Sequence, residues 1–88
     1  MDVINIGYGN VVPANRIVAV LQPSSAPIKR LKEEAAEKGR LVDATQGRRT
    51  RAVLLLDSQH IVLSAVQVQT LGLRLAGEEE TKKSVEQD

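Results

Sequence analysis

Arg51-Ala52-Val53-Leu54-Leu55-Leu56-Asp57-Ser58-Gln59-His60-Ile61-Val62-Leu63-Ser64 is the stretch on which the fold turns. Ala52 to Leu56 is apolar without alternation, the pattern of a strand covered on both faces, and a neighbouring subunit is one candidate for the second cover. Asp57-Ser58-Gln59 is a turn signal, and Ile61 to Val66 is apolar again, so the two runs are expected to pair as an antiparallel hairpin.

Working outward from this hairpin, Arg40 to Ala44 reads as a strand and Val68, Leu71 and Leu75 as the apolar positions of a short closing helix. Pro23-Ser24-Ser25-Ala26-Pro27 opens an earlier helix, because serine can cap it and proline loses no bond in a first turn. Gly39 is its natural stop. Between those limits Ile28, Leu31 and Ala35 form a narrow apolar stripe suited to a helix lying on a sheet. Lys29–Glu33, Arg30–Glu34 and Glu34–Lys38 have the spacing to pair on its outer face.

Nearer the N-terminus, Arg16 to Leu21 reads as a strand with Ile17, Ala19 and Leu21 on one side and Arg16, Val18 and Val20 on the other. Val3 to Ile6 reads as another, running into Gly7-Tyr8-Gly9-Asn10, whose glycines and asparagine tolerate positive φ and predict a turn. Pro13 and Asn15 delay the next element. The expected architecture is α/β in the α+β sense: one small domain over residues 1–76 with about five strands, largely antiparallel, and two helices. Residues 77–88 have almost no apolar side chains and are expected to form a disordered acidic tail.

Eighty-eight residues can bury only a thin core, and self-association would help it. Hydrophobic residues make up 42% of the chain, yet Tyr8 is the one aromatic, so Val, Ile, Leu and Ala must fill that core. The absence of cysteine excludes disulfides and thiolate metal sites. With no leader-like or long apolar segment, a cytoplasmic location is expected. The net charge of +1 hides an asymmetry. The tail sets Glu78, Glu79, Glu80, Glu86 and Asp88 against Lys82 and Lys83, a net of −3, and leaves residues 1–76 at +4. A basic body of this kind attracts polyanions.

Gly47-Arg48-Arg49-Thr50-Arg51 places three guanidiniums within four residues at the junction of a loop and a buried strand. Arginine offers a permanently charged planar fork that suits phosphates and guanine edges. If Arg51 begins the strand, Arg49 shares its side while Arg48 and Thr50 face the other, and the Thr50 hydroxyl is a phosphate donor. A solvated loop serving only solubility is the plain alternative. Lys29, Arg30 and Lys32 crowd the first half of a helix, where the macrodipole disfavours cations, so this helix start with Ser24 and Ser25 is a second candidate anion anchor.

Other chemistries find little support. Gly7-Tyr8-Gly9 is followed by no helix, no Gly-Lys-Ser/Thr occurs, and a structural turn is the expectation. His60 has no second histidine or cysteine with which to share a metal, so packing or capping is its expected role. Asp2, Asp43 and Asp57 show no catalytic spacing. No enzyme activity, cofactor, metal or small-molecule substrate is expected. One tyrosine is a poor supply of stacking platforms for single strands, which favours duplex DNA.

Taken together, Ile4-Asn5-Ile6-Gly7-Tyr8-Gly9-Asn10, Ala14-Asn15-Arg16-Ile17, Ser25-Ala26-Pro27-Ile28-Lys29-Arg30, Lys38-Gly39-Arg40-Leu41-Val42-Asp43-Ala44-Thr45, Gly47-Arg48-Arg49-Thr50-Arg51-Ala52-Val53 and Asp57-Ser58-Gln59-His60-Ile61-Val62-Leu63-Ser64 resemble the extracellular matrix regulatory protein RemA family. The resemblance spans roughly residues 3 to 75. It implies a small bacterial DNA-binding regulator that activates biofilm matrix genes and assembles into a ring around which DNA is arranged. It further implies that Arg16, Arg48, Arg49 and Arg51 contact DNA, that Pro27 supports this, and that Lys29 and Arg30 belong to the same pattern. The expected partners are therefore double-stranded DNA and further copies of the chain, with no membrane. The rival expectations are an RNA-binding regulator and a protein scaffold that binds acidic partners.

Overall fold

A computed structural model describes residues 2–77, so the acidic segment from Glu78 onward, including its expected disorder, lies outside the described residues. Six strands and two helices follow in the order β1 (Val3–Gly7), β2 (Asn10–Pro13), β3 (Ile17–Leu21), α1 (Ala26–Glu37), β4 (Leu41–Asp43), β5 (Ala52–Leu56), β6 (Ile61–Ser64) and α2 (Val68–Leu75). β3, β5, β6 and β4 form one sheet in that spatial order, while β1 and β2 form a separate hairpin. β3–β5 and β5–β6 are antiparallel, and β4 runs parallel to β6.

The central hairpin forms as its sequence implies, with Ala52 opposite Ser64 and Leu55 opposite Ile61. Gln59 takes φ +73° at the end of a three-residue loop, and the Leu56 N–H donates to the His60 carbonyl at 3.0 Å across the loop base. The Ser58 hydroxyl and His60 Nδ1 lie 2.8 Å apart, so the histidine ties down this turn.

Both faces of β5 are covered by its own chain, which corrects the suggestion that a neighbouring subunit supplies one cover. Val53, Ile61 and Leu63 pack with Ile28, Leu31 and Ala35 of α1 on one side. Ala52, Leu54 and Val62 pack with Ile4, Ile6 and Val12 of the hairpin and Leu71 of α2 on the other. The result is three layers around a wholly aliphatic core, in which burial of a side chain such as Leu54 contributes about 1.5–3 kcal/mol. Buried Ser64 joins two layers: its hydroxyl donates to the Ile6 carbonyl at 2.8 Å and accepts the Val66 N–H at 3.0 Å.

Three sequence expectations are corrected. β2 was not foreseen: Tyr8 and Gly9, at φ +56° and +81°, turn the chain straight back, so that Asn10–Pro13 pairs with β1. β3 does not alternate as read, because a bulge between Ile17 and Ala19 leaves Val18 exposed and sends Ile17 to the hairpin side with Val20. Arg16 sits in a short 3₁₀ turn, Ala14–Arg16, ahead of that strand. The glutamate–cation pairs proposed along α1 stay open, since Arg16–Asp57 is the one ion pair within 4.0 Å among the described residues.

α1 begins and ends where its sequence signals stand. Ser25 occupies the cap position and its carbonyl accepts the Lys29 N–H at 3.1 Å, but its side chain makes no cap bond; Pro27 lies in the first turn. At the other end Gly39, at φ +73°, donates to the Ala36 carbonyl and Arg40 donates to that of Ala35, a Schellman closure.

Candidate functional site

The register brings four chain segments to one end of the central sheet. Leu21 lies opposite Val53, so the residues after β3 run past Arg51; Arg51 in turn donates its N–H to the Ser64 carbonyl at 2.8 Å, where β6 ends and the chain turns towards α2. β4, parallel to β6, delivers the loop 44–51 to the same end.

That loop is built rather than slack. One carboxylate oxygen of Asp43 accepts both the Thr45 N–H at 2.9 Å and the Thr45 hydroxyl at 2.6 Å. These bonds hold the Asp43 carboxyl below its usual range, the side-chain bond contributing most. The buried Thr45 then accepts the Arg48 N–H at its carbonyl, 2.9 Å away, across a turn whose central residues Gln46 and Gly47 both have positive φ. Arg48 is thereby placed by hydrogen bonds that begin at Asp43, and Arg49 follows it in the chain.

Beyond the turn the arginines divide. Arg49, Thr50 and Arg51 line a cleft of about 330 Å³ with Gln22, Pro23 and Ser24 from the end of β3 and Gln67, Val68 and Gln69 from the start of α2. Arg48 instead lies over the Tyr8 ring at the tip of the β1–β2 hairpin, 5.9 Å from its centroid, within cation–π range. Thr50 thus sides with Arg49 and Arg51, not with Arg48 as alternation predicts, because regular strand begins only at Ala52. Among the described residues no carboxylate lies within salt-bridge distance of Arg48, Arg49 or Arg51, and none lines the cleft.

The remaining candidates lie elsewhere. Arg16 is at the opposite end of β5, its Nε donating to Asp57 Oδ1 at 2.8 Å; the five residues of β5 separate Asp57 from Arg51, about 20 Å over six residue steps. Lys29 borders a groove between α1 and the β4 edge, lined also by Lys32, Glu33, Ala36, Leu41 and Leu63. Arg30, Ser25 and Pro27 are exposed on the first turns of α1, outside the cleft lining. Ser24 joins the cleft.

Sequence reasoning missed Tyr8, Asp43, Gln67 and Gln69. Asp43-Ala44-Thr45 has the spacing of a side-chain-capped turn, a usable signal. Nothing in the pattern around the two glutamines marks them as more than polar neighbours of a helix start.

A family model described as extracellular matrix regulatory protein A-like matches residues 3–75, which hold every strand, both helices and the whole cleft. The chain belongs to the RemA-like family. The RemA-like chain is 57% identical over 79 residues to a protein of Halothermothrix orenii, covering 90% of this chain and 94% of the relative. It is 55% identical over 87 residues to one of Clostridium botulinum, covering 99% and 98%, and 64% identical over 75 residues to one of Acetivibrio thermocellus, covering 85% and 81%. All three relatives are named only as regulatory proteins. Among the described residues of this RemA-like protein no helix is long and apolar enough to cross a membrane.

Proposed function

We propose that this protein is a transcriptional regulator that binds duplex DNA through the arginine end of its central sheet. The observation that carries the reading is the cleft in which Arg49, Thr50 and Arg51 stand together without a carboxylate partner, beside a loop pinned by Asp43. Uncompensated guanidiniums on a fixed loop attract a polyanion and retain their geometry on binding, which limits the ordering cost. Arg48 and Tyr8 extend the same surface towards the hairpin tip.

The names of the relatives and the family description support a regulator, and extracellular matrix genes are the targets that description suggests. Each protomer offers few phosphate contacts, so useful affinity requires several protomers acting together; a closed homo-oligomer makes later contacts effectively intramolecular and presents a curved array that favours deformable DNA. Arg16, at the far end of β5, serves such an assembly only where DNA or a second protomer's site reaches that edge. Double-stranded DNA in the cytoplasm is the proposed partner.

Competition distinguishes this reading from an RNA-binding one. A labelled duplex bound to the protein is titrated with unlabelled duplex and with structured RNA. Displacement by the duplex at lower concentration is expected; preferential displacement by RNA overturns the assignment.

A further inference from the structure

We infer that Gln67 and Gln69 are DNA-contacting residues, whose carboxamides donate to a backbone phosphate seated in the cleft beside Arg49 and Arg51. The inference rests on the DNA-binding reading and adds contacts on a second element, α2, that neither the charge pattern nor the family description marks.

Gln67 and Gln69 line the cleft together with Arg49, Thr50 and Arg51 and with Gln22, Pro23 and Ser24 from the end of β3. Both are exposed, and neither side chain makes a hydrogen bond among the described residues; Gln67 stands at the cap position of α2 yet makes no cap bond. Val68, between them, packs against the core, and the adjacent Leu71 is fully buried, so the backbone that carries the glutamines is fixed. Carboxamides are regular donors to phosphate oxygens, and here the glutamines share with the two guanidiniums one cleft that no carboxylate lines. An arginine neutralises charge and releases counterions; a glutamine supplies direction without charge. The two kinds of contact therefore leave different signatures in a salt series.

The experiment measures duplex-DNA binding by fluorescence anisotropy across a salt series for wild type, the Gln67→Ala/Gln69→Ala variant and the Gln67→Glu/Gln69→Glu variant. Gln59→Glu is the control, an acid introduced at the opposite end of β5. The alanine pair is expected to weaken binding about tenfold while leaving the salt slope unchanged. The glutamate pair is expected to weaken it further than Gln59→Glu does, with a thermal midpoint at or above wild type, because acids at a helix start are favourable. Wild-type affinity in the alanine pair, or a loss in the glutamate pair no greater than in Gln59→Glu, overturns the inference and leaves the DNA-binding reading standing. Absence of binding by the wild type overturns both.

Discussion

At Asp43 a single carboxylate oxygen closes the turn that presents Arg48, and the same two bonds from Thr45 lower its pKa. A carboxyl with a depressed folded-state pKa contributes stability that is present above its unfolded value, 3.8, and is lost as pH falls through the folded value. Its titration followed by NMR should therefore have a midpoint below 3.8, and the Arg48 amide signal should shift with it. Asp43→Ala should weaken DNA binding while leaving the circular dichroism spectrum folded; unchanged affinity would separate the turn from function. Gly7 is constrained differently: it combines φ +107° with a space in which an added Cβ would stand 3.2 Å from Val66 Cγ2. Gly7→Ala should cost about 1–3 kcal/mol in chemical denaturation. The arginine cluster was legible at this scale because charge density is written directly in sequence. The Asp43 bond was not read, since alternation assigns that residue to a strand and starts the loop at Thr45.

Among the elements, β5 and β6 announce themselves by their unbroken apolar runs, and α1 by its stripe and its glycine stop. β2 is too short and too exposed at Val11 to stand out, and it exists because the Tyr8–Gly9 turn folds it onto β1. The β3 bulge is equally silent, for a single extra residue changes which side chains face the core without changing composition. Truncation of the central strand, Leu54→Ala, should cost about 2–5 kcal/mol because Leu54 is wholly buried. Ser64→Ala should cost about 1–3 kcal/mol by leaving the Ile6 carbonyl and the Val66 N–H unpaired, and thermal denaturation reports both variants. A Ser64→Ala protein as stable as wild type would show that the hairpin layer is held by apolar contact alone.

Over the whole molecule, the basic surface is polarised: Arg48, Arg49 and Arg51 lie at one end of the sheet, while Arg16 is held by Asp57 at the other. Sequence order gives no hint of that separation, which follows from the antiparallel register of β3 and β5. The proposal of self-association rests on the small size of the domain and on the need for several weak sites to act together, since α1 already covers the second face of β5. Light scattering at micromolar concentration should give a multiple of 9.6 kDa; the monomer mass would contradict a closed assembly. The measurement that bears most directly on the central claim is duplex-DNA binding across a salt series for wild type and the Arg48→Ala/Arg49→Ala/Arg51→Ala variant, the latter checked for folding. Steeply salt-dependent wild-type binding that the variant loses is the predicted result, with a slope that falls by about one unit per phosphate contact removed. Equal, weak binding by both proteins would contradict it.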